Sequence, residues 1–199
     1  MVKTKKIVTG LSERELTTPE GAGFDLRLGE VWEVKGQGFL GVEERETAKL
    51  KLIATFERSD LPKKDPSTNS GQVSPKRSDL LKKNPSTSSG QEIVSLRPGK
   101  YYVVKTVEDL NVPENIQVVF RPRSTLYRSG VALFSGNASP GYCGGINVGL
   151  INFGSKPFKI EMGARFIHAI FLEVKGKTHK YRGQWQGGRT QTKGKEKQV

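Results

Sequence analysis

Hydrophobic residues in this chain recur at every second position far more often than at every third or fourth. VWEVKG, KLKLIATF, YYVVKT, IQVVF, INVGLINF, FKIEM and FIHAIFLEV are all short, rich in β-branched or aromatic residues, and separated by turn residues. Alternation of this kind turns one side of each segment to a core and the other to water, which is the geometry of a strand. Helical patterning is thin. Single turns are expected near Thr18 to Glu20 and at Ser124 to Arg128, where a serine and a threonine can cap a short segment. The pattern predicts an all-β fold, sandwich or barrel-like, assembled from many short strands.

A length of 199 residues with 34% hydrophobic content suits one ordinary domain with a real core and hardly two. That domain is expected over 1–173. One region breaks its pattern: RSDLPKKDPSTNSGQ (58–72) recurs as RSDLLKKNPSTSSGQ (77–91), with 12 of 15 positions identical at an offset of 19. Two copies cannot build a solenoid, and Ser, Lys, Pro, Asn and Gly offer almost nothing to bury. Residues 58–92 are therefore expected to be a flexible insert between strands.

The net charge is +13, and a net of +7 lies in residues 174–199, where eight lysines and arginines face Glu196 alone. This tail is expected to be a basic, mobile end able to close over a polyphosphate; a nucleic-acid partner is not expected. No run approaches the roughly 18 apolar residues of a membrane helix, and MVKTKKIVTG lacks the apolar middle of a secretory signal. A soluble, cytoplasmic protein is the expectation. Cys143 is the single cysteine, and it forms no familiar zinc spacing with His168 and His179.

The segment 121–145, RPRSTLYRSGVALFSGNASPGYCGG, has three arginines, four serines, five glycines and no carboxylate. Arg121 and Arg123 flank a proline and precede Ser124 and Thr125. Two guanidinium forks, two hydroxyls and turn amides can converge there on phosphate oxygens. Arg128 follows Ser124 by one helical turn and points at the same ligand if the segment is helical. The hairpin from Val131 to Gly149 combines rings with glycines, as a pocket for a flat base requires. In the tail, Trp185 or Tyr181 can stack on a ring, and Arg182 or Arg189 can meet an anion. His168 reads as a satisfied strand residue.

GAGFDLRLGEVWEV, LRPGKYYVVKTVEDLNVPENI, RPRSTLYRSGV, SPGYCGGINVGLINFG and MGARFIHAIFLEVKG with YRGQWQGGRT resemble, in that order, the motifs of the dCTP deaminase and dUTPase superfamily. The resemblance implies a distorted β-barrel or jelly-roll subunit and a homotrimer with active sites at its interfaces. It also implies a pyrimidine deoxynucleoside triphosphate carried with Mg²⁺. It places Arg121, Arg123, Ser124, Thr125 and Arg128 on the phosphates, the Asn137 to Ser139 backbone on the base, and Tyr142 against the deoxyribose, where it excludes a 2′-hydroxyl. Asp25 matches a structural aspartate near the site.

The chain departs from the superfamily where chemistry is done. The aspartate with which dUTPases orient the attacking water is Ser139 here, and the glutamate with which the zinc-free deaminases move a proton is Gly149. Between Glu114 and Glu161 there is no Asp or Glu at all. Arg128 and Ser139 remain as candidate catalytic residues without a general base, which would have to come from Asp25, from Glu43 or Glu44, or from another subunit. No protein metal ligands are expected. The organisation of the whole chain leans to a dCTP deaminase; dUTP diphosphatase activity and a non-catalytic nucleotide sensor are the alternatives.

Overall fold

The computed structural model describes residues 6–56 and 90–198. Its strands are β1 (Val8–Thr9), β2 (Gly23–Lys35), β3 (Phe39–Leu40), β4 (Glu44–Glu46), β5 (Lys49–Thr55), β6 (Ile93–Leu96), β7 (Tyr101–Asn111), β8 (Ile116–Pro122), β9 (Val131–Phe134), β10 (Cys143–Asn152), β11 (Phe158–Glu161), β12 (Arg165–Glu173) and β13 (Glu196–Lys197). All seven alternating segments named from the sequence fall in these strands. The repeat lies almost wholly outside the described residues, between β5 and β6.

The main sheet has the order β8-β12-β2-β7-β10-β9, with β1 added to β7 and β5 to β2. It curls until its ends nearly meet. The closure is a pair of backbone hydrogen bonds between Val118 on β8 and Ala138 in the β9–β10 connection, 2.9 Å in each direction. The result is the nearly closed, barrel-like all-β fold that the alternation predicts. β7 shows how: Tyr102, Val104, Thr106, Glu108 and Leu110 point inward and are buried, with more exposed residues between them. Leu26, Leu28, Val118, Phe120, Val148, Leu150, Phe166 and Ile167 meet them in the core.

Burying Glu108 in that row requires a partner. Its two oxygens accept from the Arg27 backbone N–H and from Arg27 Nε, both at 2.7 Å. Burial still pushes the Glu108 carboxyl above the ordinary glutamate range, with the Arg27 contacts opposing that shift.

The helical turn expected at Thr18 to Glu20 is instead α1 (Glu13–Thr17). The sequence Ser12-Glu13-Arg14-Glu15 is a serine with a glutamate three residues on, and Ser12 Oγ accepts from the Glu15 N–H at 3.4 Å. Thr18 ends the helix because Pro19 disfavours helical geometry in the residue before it. The second turn, α2 (Ser124–Arg128), lies where expected, although its N-cap Arg123 makes no side-chain cap.

Candidate functional site

The connection that closes the barrel also lines a cleft of about 320 Å³. Gly136, Asn137 and Ala138 line it from that connection, Phe120 from β8 and Ile146 and Asn147 from β10, and Tyr142, Tyr181, Trp185 and Arg189 line it together with Thr47 and Thr190. Three residues expected on base and sugar, Asn137, Tyr142 and Trp185, are thus brought together. The Tyr142 ring is buried, its edge packs against Tyr181 with centroids 5.4 Å apart, and its hydroxyl donates to the Gly145 carbonyl at 2.6 Å. Burial, then the neighbouring Tyr181 and Asp109, push its pKa up to about 12. It is a neutral, fixed wall.

The cleft is roofed by the tail, which runs back across the barrel. Tyr181 N–H donates to the Pro140 carbonyl and Gly187 N–H to that of Cys143, each at 2.7 Å. Gln186 clasps the hairpin from both sides, accepting from the Cys143 N–H at 3.2 Å and donating to the Gly141 carbonyl at 3.1 Å. At the centre, backbone meets backbone: a Cβ on Gly144 would run into the Gly188 amide, and one on Gly188 would lie 2.7 Å from the Gly145 nitrogen. Only glycines allow that approach. Farther on, Thr47 and Thr192 exchange hydrogen bonds, and β13 pairs with β4. Arg45 and Arg189 lie over the Trp185 ring at 4.6 and 5.1 Å. Arg189 also grips Glu196 with both nitrogens, at 3.0 and 2.6 Å, which holds that carboxyl below its usual range.

The residues expected on phosphates are not in this cleft. On β8, Val118 and Phe120 face the core, so Arg121 points out and is exposed. Ser124, Thr125 and Arg128 are also exposed, on α2. Arg123 is occupied. Its guanidinium donates to Asp25, and Asp25 is a buried hub that also accepts from Arg165 Nη1 at 3.1 Å and pairs with His168 Nδ1 at 2.8 Å. Glu15, itself buried, accepts from the Asp25 N–H at 2.9 Å. The strand register sets Asp25 opposite His168, which is satisfied there as the sequence suggested. Arg123 therefore has a structural duty that its place in a phosphate motif did not reveal.

No residue lining the cleft is an Asp or Glu. Ser139 is half-buried, and its carbonyl accepts from the Tyr142 N–H at 3.0 Å to close the turn. Gly149 has no vacant space above it: a Cβ there would run into the Tyr101 hydroxyl. Asp25 is engaged as described, and Glu43 and Glu44 are exposed beside β13 without lining the cleft. A carboxylate that sequence reasoning missed is Asp109, opposite Gly145 on β7; a Cβ on Gly145 would lie 3.3 Å from its Oδ1. It is exposed and outside the cleft lining. Among the described residues no group of three or more His, Cys, Asp or Glu can hold a metal ion. Nor is any helix there long and apolar enough to cross a membrane.

The nearly closed β-barrel is a fold this chain shares with the solved 2′-deoxycytidine 5′-triphosphate deaminase from Agrobacterium tumefaciens, which superposes with a TM-score of 0.55 at 13% identity, covering 87% of this chain and 45% of that one. The family described as dCTP deaminase-like matches residues 2–174, and the chain belongs to it. Relatives carry both of the family's names. A probable deoxyuridine 5′-triphosphate nucleotidohydrolase of Methanothermobacter thermautotrophicus is 27% identical over 172 residues, 86% of this chain and 89% of that protein. Another of that name, from Methanopyrus kandleri, is 38% identical over 82 residues, 41% of this chain; the match spans about half, 53%, of the relative. A dCTP deaminase of Pyrococcus furiosus is 30% identical over 95 residues, 47% of this chain and 61% of that protein.

Proposed function

We propose that this protein binds a pyrimidine deoxynucleoside triphosphate, with base and sugar in the hairpin–tail cleft, and that a single subunit holds it without converting it. The observation that carries this reading is the cleft itself: aromatic, glycine-rich and roofed by two arginine-bearing segments, yet without a carboxylate in its lining. Deamination of dCTP to dUTP and ammonia, or cleavage of dUTP to dUMP and pyrophosphate, needs a group that takes a proton from water. Serine and glycine do not supply one. Tyr142 refuses a 2′-hydroxyl by leaving no room beside its fixed ring. Mg²⁺ arrives as part of the ligand, bound by phosphate oxygens and water, since the described residues offer no cage. The site of action is the cytoplasm.

A second reading is turnover in a homotrimer, with dCTP deamination ahead of dUTP cleavage and the base donated by a neighbouring copy. It is favoured by the exposure of Arg121, Ser124, Thr125 and Arg128, a phosphate-type set that faces away from its own cleft. Calorimetric titration with dCTP, dUTP, CTP and UTP in Mg²⁺ tests the shared premise. Binding of a pyrimidine deoxynucleotide at least tenfold tighter than its ribonucleotide is expected, and Trp185→Ala should weaken it. Absence of binding by all four overturns both readings.

A further inference from the structure

Glu196 is the one carboxylate in residues 174–199, and the fold places it among cations. Arg189, which lines the cleft, gives it both terminal nitrogens. The Lys193 N–H donates to the same carboxylate at 3.2 Å. The β13–β4 register sets Glu196 opposite Arg45, whose charge adds to that of Arg189 in holding the Glu196 carboxyl low. Arg45 and Arg189 both lie over the Trp185 ring. A carboxylate of the chain's own thus serves as counter-ion to two guanidinium groups stacked on one indole at the cleft.

The match is incomplete. Both Glu196 oxygens are used, yet Arg45 Nε, Arg45 Nη2 and Arg189 Nε are buried without a hydrogen-bond partner among the described residues. Leaving such donors unpaired is costly, and an anion with more oxygens than a carboxylate can meet more of them once the packing over them opens. That packing is thin. β13 is two residues long, and it is held by its pairing with β4, by the Gln198 N–H on the Glu43 carbonyl at 2.8 Å and by Gln184 Nε2 on the Lys197 carbonyl at 2.6 Å. The Arg189 and Glu196 side chains are 29% and 19% exposed, so water reaches the pair and it can exchange partners. The contacts that roof the cleft, from Tyr181 to Gly188, are separate from this pairing, so β13 can lift while the roof stays.

We propose that Glu196 is a built-in competitor for the ligand's anion: in the free protein it neutralises Arg189 and latches β13 onto β4, and a polyphosphate entering the cleft takes Arg189 from it and releases β13. This rests on the nucleotide-binding reading above and adds how that site is restrained. An anion in the cleft meets the hydroxyls of Thr47 and Thr190 beside Arg189, a donor set that suits phosphate oxygens. The coupling is reciprocal: whatever the Glu196 contact contributes to the latch, the polyphosphate loses in affinity.

The test is calorimetric titration of the full-length protein and of Glu196→Gln with inorganic tripolyphosphate. Glu196→Gln keeps the side chain's shape and removes its charge. It should bind tripolyphosphate about 3- to 10-fold more tightly than the parent, the span of one partly exposed, bidentate ion pair. Glu43→Gln, the same charge change at an exposed position on the neighbouring segment, should shift the affinity by less than about twofold, and the gain from Glu196→Gln should vanish when Arg189→Ala is combined with it. In the parent, saturating tripolyphosphate should speed amide exchange over 194–198 while leaving 181–188 protected. Unchanged or weaker binding by a Glu196→Gln variant with the parent's Tm overturns the proposal, as does an equal gain in Glu43→Gln or a gain that survives Arg189→Ala. If Glu196→Gln unfolds, exchange over 194–198 in the parent that stays constant or slows with tripolyphosphate overturns it instead. Titration of the parent with dCTP and dUTP separates the two readings: nucleotide binding with no effect of Glu196→Gln removes the competitor alone, and no nucleotide binding with the tripolyphosphate results as expected removes the nucleotide reading alone.

Discussion

Replacing Asp25 by alanine should be among the most damaging single changes to this fold. The carboxylate is 1% exposed and takes hydrogen bonds from Arg123, Arg165 and His168. Its loss leaves three guanidinium groups together, those of Arg123, Arg165 and Arg14, the last 3.9 Å from the Asp25 carboxylate, with Glu15 and Glu20 as the carboxylates that remain beside them. Removing one partner from a buried ionic cluster typically costs about 3–5 kcal/mol. The side chains of Arg123 and Arg165 are 35% and 33% exposed, so water can rescue part of each charge, and the low end, about 3 kcal/mol, is the better figure. For a chain of this length each kcal/mol moves Tm by about 2–4 °C, which gives a fall of roughly 6–12 °C. Differential scanning fluorimetry at pH 7 measures it, with Arg128→Ala on exposed α2 as a control expected within about 2 °C of the parent. A fall of less than 2 °C for Asp25→Ala would refute the account of Asp25 as a hub. The same logic makes Arg123→Ala a stability variant as well as a binding variant, so loss of affinity in it must be judged against its Tm.

Glu108 makes a pH-dependent contribution. Its carboxyl titrates higher in the folded protein than in the unfolded chain, so the folded state binds that proton more tightly. The resulting stabilisation is complete below about pH 4.3 and is lost as pH rises through the folded value. The Tm of the parent relative to Glu108→Gln should therefore fall between pH 4 and 7, and a constant difference across that window would remove the argument. The tail should come loose in Gly144→Ala, read as faster proteolysis and amide exchange over 181–191. Gly187→Ala shares the positive φ but meets nothing within 4 Å, so its loosening should be smaller; equal effects would assign the loss to backbone strain. Ser139→Asp returns a carboxylate to the hairpin and should raise dUMP formation from dUTP. No gain in a folded variant would mean that the missing carboxylate is not what limits dUTP cleavage.

The barrel was legible because alternation survives wherever one face of a strand is buried: YYVVKT and IQVVF declare their inward residues without help. Short polar pieces gave no such signal. β3, β4 and β13 are two or three residues each and form one small sheet in which β13, part of the tail, pairs with β4 and β4 with β3. α1 was mislocated by a few residues although SERE carries its capping pattern, since five residues are too few to show a helical period. At the site, glycine and ring content identified the hairpin, and Asn137, Tyr142 and Trp185 do meet there. What the sequence concealed is long-range. Asp25 and Arg123 are 98 positions apart, and Tyr101 covers Gly149 from a neighbouring strand. The tail's grip on Gly144 and Gly145 is backbone on backbone, which leaves no hydrophobic pattern to read.

The central claim is that the cleft binds a pyrimidine deoxynucleotide and that the protein holds it without converting it. Prolonged incubation of the purified protein with dCTP or dUTP and Mg²⁺, followed by ion-exchange separation of bound and free nucleotide, tests it most directly. Recovery of the bound nucleotide unchanged is the predicted result. Formation of dUTP from dCTP, or of dUMP from dUTP, at more than the uncatalysed rate would contradict it and direct attention to a base supplied by Asp109 or by another copy of the chain.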